Sequence, residues 1–157
     1  MTQSANPTSR YPVATGRSSA FDEAAIARAE AALQSLSGEF SAWMDEEVAK
    51  LEAARLEARA SGYAPDQLAV LHARAHDVKG LGATYEFPLV TRLAAALCRL
   101  LDTPDKRPDR AILATLIEAS VSAVKAAVRD DIRSEANPVG RALADELDAS
   151  VAKALNA

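Results

Sequence analysis

Apolar residues in this 157-residue chain recur at intervals of three, four and seven through several long segments, and proline or glycine separates one segment from the next. That spacing places apolar side chains on one face of an α-helix. Alanine, leucine, glutamate and arginine, which favour helix, are abundant, whereas β-branched runs bounded by turn residues are scarce. The pattern therefore predicts an all-α protein.

The first two helical segments have recognisable ends. The first opens at Asp22 and ends near Gly62. Its apolar stripe includes Phe40 and Trp43, which are expected in the core, and keeps its phase across Gly38, so one long helix and two nearly collinear helices both fit it. Pro65 stands in the first turn of a second helix, where proline is tolerated, and this helix runs to about Tyr85.

Three further segments follow in the same manner. A third helix starts at Pro88, a loop is expected over residues 103–109, a fourth helix reaches Ile132, and Pro138 opens a short last helix. Because short loops favour antiparallel neighbours, the predicted fold is an antiparallel up-and-down four-helix bundle with additional N-terminal and C-terminal helical segments. The predicted organisation is a disordered tail at 1–20 and a single helical domain at 21–157, with the bundle at about 31–133 and a C-terminal helix at 138–156.

Composition narrows the classes of function. The formal net charge of −4 offers no basic patch for nucleic acid, and the one cysteine, Cys98, excludes an internal disulfide and suits a reducing compartment. No stretch is expected to reach the ~20 apolar residues of a membrane-spanning helix, and the N-terminus lacks the regions of a secretion signal. A soluble, cytoplasmic protein, monomeric and without a membrane partner, is expected.

The second helix carries an unusual outer face. At about 100° per residue, Leu71, Val78 and Gly82 lie together on its core side, and His76 points about 150° away from them. Solvated helix faces usually carry Glu, Lys, Gln and Arg. Here the surroundings of the exposed histidine are nearly all small: Ala69, His72, Ala73, Lys79, Gly80 and Ala83.

Such a histidine is open to close approach by another macromolecule. Gly80 removes a side chain that would crowd the imidazole, and Lys79 brings positive charge about one turn away. An anion, such as a phosphoryl group on the ring nitrogen, would be stabilised there by the ammonium. Gly82 faces the bundle and is expected to let a neighbouring helix pack closely.

The segment from His76 to Gly82, HDVKGLG, resembles the H-x-[apolar]-K-G-x-[small] signature of histidine-containing phosphotransfer (HPt) domains. The resemblance implies a helical bundle that shuttles phosphoryl groups between receiver-domain aspartates, or from a hybrid histidine kinase to a regulator. It makes His76 the phospho-accepting nucleophile, Lys79 a phosphate-neutralising neighbour and Gly80 the clearance position. It implies no cofactor of the protein's own, with Mg²⁺ expected on the partner receiver domain.

A receiver is expected to dock through Ala69, His72, Ala73 and Ala83. The chain has no G-x-x-x-x-G-K-[ST] loop, so a phosphohistidine carrier without ATP-dependent kinase activity is expected.

The sequence also fits other interpretations of the two histidines. His76 could be an interface residue of a non-catalytic helical adaptor that binds a signalling partner, or an exposed histidine without a role. His72 and His76 share a face, as two metal ligands would, but no further His is present and Lys79 would oppose a cation. A dimerisation module of the kind found in histidine kinases is disfavoured, because this chain supplies four bundle helices alone.

Overall fold

The computed structural model describes residues 17–157, with side chains described from residue 22 onward. Over this range the chain forms five α-helices and one short 3₁₀ turn, Pro104–Lys106, without any strand. The helices are α1 (Arg17–Ala60), α2 (Pro65–Thr84), α3 (Pro88–Asp102), α4 (Arg110–Arg129) and α5 (Pro138–Leu155). The all-α bundle predicted from the sequence is confirmed.

Helix boundaries follow from identifiable local chemistry. Proline occupies the first turn of α2, α3 and α5, where its missing N–H costs no intrahelical hydrogen bond. The Asp109 side chain accepts a hydrogen bond from the Ile112 amide and so caps α4. Asn137 caps α5 in the same way, accepting from the amides of Val139 and Gly140.

The start of α1 differs from the expectation. The helix begins at Arg17 rather than at Asp22. Residues 17–20, expected in the tail because the first twenty residues are rich in Ser, Thr, Pro and Gly, form its first turn. The rest of the predicted tail, residues 1–16, lies outside the described residues. Helix α1 continues through Gly38 without a break, which decides between one helix and two.

The chain divides into two units between Leu36 and Ser37. In the first, most of the side chains described are exposed, including Ile26 and Leu33. The second, residues 37–157, contains the core, to which α3 contributes most densely. Helix α3 packs against α2, α4 and α5, and α1 adds buried side chains from Met44 to Ala58.

Helix α5 belongs to the same core rather than standing apart from it. Its residues Ala144, Leu147 and Val151 are buried, and it packs on α3 and α4. Arg92 of α3 donates hydrogen bonds to Asp145 and Asp148 of α5, at 2.7 and 2.9 Å. The Arg92 guanidinium is therefore held by carboxylates of α5 within the molecule.

Two aromatic residues of α1 lie nearer the surface than predicted. Phe40 is half-buried and Trp43 is 41% exposed, although both lie on the apolar stripe expected to form core. They contact the ring of Tyr85, at centroid distances of 5.5 Å each. The three rings form a cluster beside the core.

Helix α4 is the one helix in the described part of the chain that is long and apolar enough to span a membrane by length and composition alone. This differs from the expectation from the sequence. Its residues Ile117, Val121 and Val124 are completely buried, and a core helix of a bundle meets the same criterion.

Candidate functional site

Helix α2 presents two contrasting faces. Leu68, Leu71, Ala75, Val78 and Gly82 are buried against the bundle. On the other side His76 is exposed, as helix geometry predicted. The exposed small residues of that side are Ala69, Ala73, Gly80 and Ala83.

The two glycines that follow His76 have different surroundings. A Cβ at Gly80 would meet no heavy atom within 4 Å, so packing inside the molecule does not explain this glycine. A Cβ at Gly82 would lie 2.9 Å from the backbone nitrogen of Thr91 and 3.0 Å from the carbonyl oxygen of Phe87. Gly82 therefore allows α2 and the start of α3 to approach closely, as predicted.

Lys79 lies on the side of α2 that faces α3. It is half-buried, and its backbone carbonyl accepts a hydrogen bond from Thr91 Oγ1 at 2.9 Å. Burial raises the pKa of the nearby Cys98 thiol, and the positive charge of Lys79 partly opposes that rise. No ion pair formed within residues 22–157 involves the Lys79 ammonium. Its charge is not neutralised by a carboxylate of this part of the chain.

His72 has an intramolecular partner. Its Nε2 lies 2.6 Å from Asp102 Oδ1, at the C-terminal end of α3. The side chain is 34% exposed, so it contributes to the surface while linking α2 to α3. Its predicted contact with a partner protein stays a prediction.

A groove of about 380 Å³ runs beside His76. His76, Gly80 and Leu81 of α2 line it, together with four charged residues. The charged residues are Glu47 and Lys50 of α1, and Arg74 and Asp77 of α2. His76 and Gly80 therefore share a depression that contains two cations and two carboxylates.

The sequence pattern did not indicate Lys50 or Arg74 as site residues. Lys50 belongs to another helix, twenty-six residues before His76, and no spacing rule connects the two. Arg74 stands two residues before His76, an interval that places the two positions on different sides of a helix, so no spacing rule indicated it either. Only the packing of α1 beside α2 brings the two cations together.

A larger cavity, of about 650 Å³, lies between α1 and the end of α4, and no residue of α2 lines it. Arg133, one of the cations that line it, already makes contacts within the molecule through Nε and Nη2. Arg133 Nε donates to Asp131 at 2.7 Å, and its Nη2 donates to Ser41 at 2.9 Å. The guanidinium carbon also lies 4.3 Å from the centroid of the Phe87 ring. This cavity has no connection with His76.

The two histidines of α2 have few other metal-binding side chains around them. Among residues 22–157, whose side chains the structure describes, no group of three or more His, Cys, Asp or Glu side chains is arranged to hold a metal ion. The Lys79 ammonium, about one turn from His76, opposes a cation there and favours an anion instead.

Comparison with known proteins adds one finding. The model of the family described as Hpt domain matches residues 35–152. The match includes the second half of α1, all of α2 to α4 and most of α5. No curated protein and no solved structure matches the chain.

Proposed function

Because the chain belongs to the Hpt domain family, we propose that His76 is its phospho-accepting residue and that it exchanges phosphoryl groups with receiver-domain aspartates. Hpt domains act in histidine phosphotransfer within phosphorelays, and they interact with receiver domains and histidine kinases. The observation that carries the assignment to His76 is its exposure beside Gly80, whose open side no intramolecular contact explains.

Glycine at position 80 is costly for the helix alone. It destabilises a helix interior by roughly 1 kcal/mol relative to alanine. Since a Cβ there would have open space, alanine would fit the isolated molecule. An approaching partner supplies the missing reason, because it must bring an aspartyl phosphate within bonding distance of the imidazole.

The chemistry requires little from this chain beyond an accessible nucleophile. A lone pair of the neutral His76 imidazole forms the N–P bond, while the P–O bond to the aspartate breaks and its electron pair returns to the carboxylate. The ring then releases its remaining N–H proton to solvent. Transfer to a second aspartate reverses these steps, and the ring recovers a proton.

Phosphoryl transfer depends on positioning and on neutralising negative charge. Lys79, one turn from His76 and without an ion-pair partner in residues 22–157, can neutralise the phosphoryl oxygens. The protein needs no cofactor of its own in this scheme. Mg²⁺ belongs to the partner receiver domain.

The docking surface is the small-residue face of α2. Ala69, Ala73 and Ala83 are exposed and leave room for an apolar contact with the partner. His72 borders this surface. A shuttle must exchange partners, so the interface is expected to be modest in area and transient.

The decisive experiment is transfer of label from a phosphorylated receiver domain. Wild-type protein is expected to take up acid-labile, base-stable label, which is the behaviour of a phosphoramidate on histidine. The H76Q variant should take up none. The H72Q variant removes the other histidine of the chain and should still take up label on His76, although loss of a docking residue would slow that uptake.

The outcomes separate the candidate functions. Absence of label in the wild type with every receiver tested, despite binding to one of them, would identify a helical adaptor rather than a carrier. Equal labelling of H76Q and wild type would overturn the assignment of His76.

A further inference from the structure

Both cations of the groove beside His76 are held in ion pairs within their own helices. Lys50 Nζ lies 3.0 Å from Glu47 Oε1 on α1, and Arg74 Nη1 lies 3.8 Å from Asp77 Oδ2 on α2. Each pair joins residues three apart. The four charges cancel, so the groove is electrically balanced around the unmodified histidine.

Phosphorylation of His76 would end this balance. A phosphoryl group adds about −1.5 to −2 charges at neutral pH, together with three acceptor oxygens. It would enter a groove that already holds the carboxylates of Glu47 and Asp77. Like charges at short range are destabilising, whereas the two cations gain a doubly charged acceptor.

We propose that Lys50 and Arg74 exchange partners when His76 is phosphorylated. Lys50 releases Glu47, Arg74 releases Asp77, and the two cations bind the phosphoryl oxygens on His76 instead. This inference rests on the function proposed above and names the residues that stabilise the phosphorylated state. Lys50 and Arg74 are positioning residues for the bound phosphoryl group, and Lys79 acts on it from the side of α3.

The existing pairs are weak enough to exchange. The Lys50 and Arg74 side chains are 49% and 43% exposed, and ion pairs this open to water contribute only about 0–1 kcal/mol. The Arg74–Asp77 distance of 3.8 Å also exceeds that of a hydrogen bond. Both cations have long, flexible side chains, and charge-assisted hydrogen bonds to a dianion are stronger than the contacts they would replace.

The arrangement gives α1 a part in the chemistry of α2. Lys50 reaches the groove only because Val48 and Leu51, its neighbours on α1, are buried in the bundle core. The stability of phosphorylated His76 therefore depends on the packing of two helices and not on the signature of α2 alone.

The test is the equilibrium partition of phosphoryl label between this protein and one receiver domain, measured by mixing ³²P-labelled receiver with wild type or variant. Dilution below the dissociation constant of their complex makes the partition independent of docking affinity. K50M and R74M should each shift label toward the receiver by about two- to fivefold, the range expected for one exposed charge pair. K153M removes an exposed lysine of α5 and should leave the partition unchanged.

Two further variants distinguish partner exchange from a structural effect. K50R keeps the charge and should restore the wild-type partition. E47Q removes a competing carboxylate and should shift label toward His76, in the opposite direction from K50M. An unchanged partition in K50M and R74M, with wild type still labelled, would overturn the exchange and leave the proposed function intact. Failure of wild type to take up label would instead remove the proposed function.

Discussion

Thr91 Oγ1 of α3 donates a hydrogen bond to the backbone carbonyl of Lys79 on α2, with the two oxygens 2.9 Å apart. This contact is possible because Gly82 has no side chain where the two helices meet. It fixes the turn of α2 that carries Lys79, one turn beyond His76. The geometry of the candidate site is thereby set by residues that take no part in phosphoryl transfer themselves: Thr91, Gly82 and Phe87.

We expect G82A to destabilise the protein. The new methyl group would lie 2.9 Å from the Thr91 nitrogen and 3.0 Å from the Phe87 carbonyl oxygen, and backbone atoms cannot move aside as flexible side chains do. Overpacking of this kind costs about 1–3 kcal/mol, partly offset by the better helix propensity of alanine. Urea unfolding should show a free energy of unfolding lower by about 1–2 kcal/mol.

G80A is the matched control for this prediction, since it makes the same change two residues earlier on the same helix. With no atom within 4 Å of the new Cβ, the free energy of unfolding should rise by about 0.5–1 kcal/mol. If the two variants change stability in the same direction, the different roles assigned to the two glycines are wrong.

The sequence predicted the helical fold well because its signals are local. The helix starts at Pro65, Pro88 and Pro138 depend on the fixed φ of proline, and the core face of α2 depends on helical periodicity. Both operate within a few residues. The same reasoning placed His76 on the exposed side and Gly82 on the buried side.

Features that depend on packing between helices were missed. No spacing rule connects Lys50 with His76, or His72 with Asp102, thirty residues later. The exposure of Trp43 was missed for the same reason, because a position on an apolar stripe does not say where the partner helix ends. Long-range neighbours come from tertiary structure alone.

Glu52 should make the stability of the bundle depend on acid pH. Hydrogen bonding to Arg55, and secondarily the contact with Lys125 at 3.1 Å, lowers the pKa of the Glu52 carboxyl from 4.5 to about 2. A pKa that is lower in the folded state means that the stabilisation is complete above pH 4.5 and is lost as the pH falls toward 2.

The measurement compares wild type with E52Q by urea unfolding between pH 7 and pH 3. After allowance for solvent screening of a partly exposed group, the free energy of unfolding of wild type should exceed that of E52Q by about 1–2 kcal/mol above pH 5. The difference should narrow below pH 4.5. A constant difference across the range would show that the ion pairs of Glu52 are not its source.

Cys98 should resist thiol reagents in the native protein. The side chain is 4% exposed, and burial raises the pKa of its thiol, so both access and thiolate population are low. We expect labelling by a maleimide to be at least about a hundredfold slower in buffer than in 6 M guanidinium chloride, because attack requires an opened state. Equally fast labelling in both solvents would place the thiol at the surface.

The small-residue face of α2 should be required for receiver binding. A73E introduces a large charged side chain at an exposed position, which should leave the fold intact and weaken binding by about tenfold or more if the position is central to the interface. A149E makes the same change at an exposed position of α5 and serves as the control. Titration calorimetry with one receiver would measure both. Equal affinity of the two variants would move the docking surface away from α2.

The clearance role of Gly80 can be separated from its effect on the helix by comparison with Gly38. Both are glycines inside helices, and a Cβ at either would meet no heavy atom within 4 Å. G80Q and G38Q should therefore leave the fold equally intact, each with a slight gain in helix stability. Only G80Q places a side chain beside His76, where it obstructs the approach of the aspartyl phosphate.

Rapid-quench measurement of transfer from a labelled receiver should show a rate at least about tenfold lower for G80Q, since a misplacement of about 1 Å can cost a hundredfold. G38Q should transfer at the wild-type rate. Unfolding of G80Q would show a structural role for this glycine, and equal rates for the two variants would show that neither glycine serves the approach of a partner.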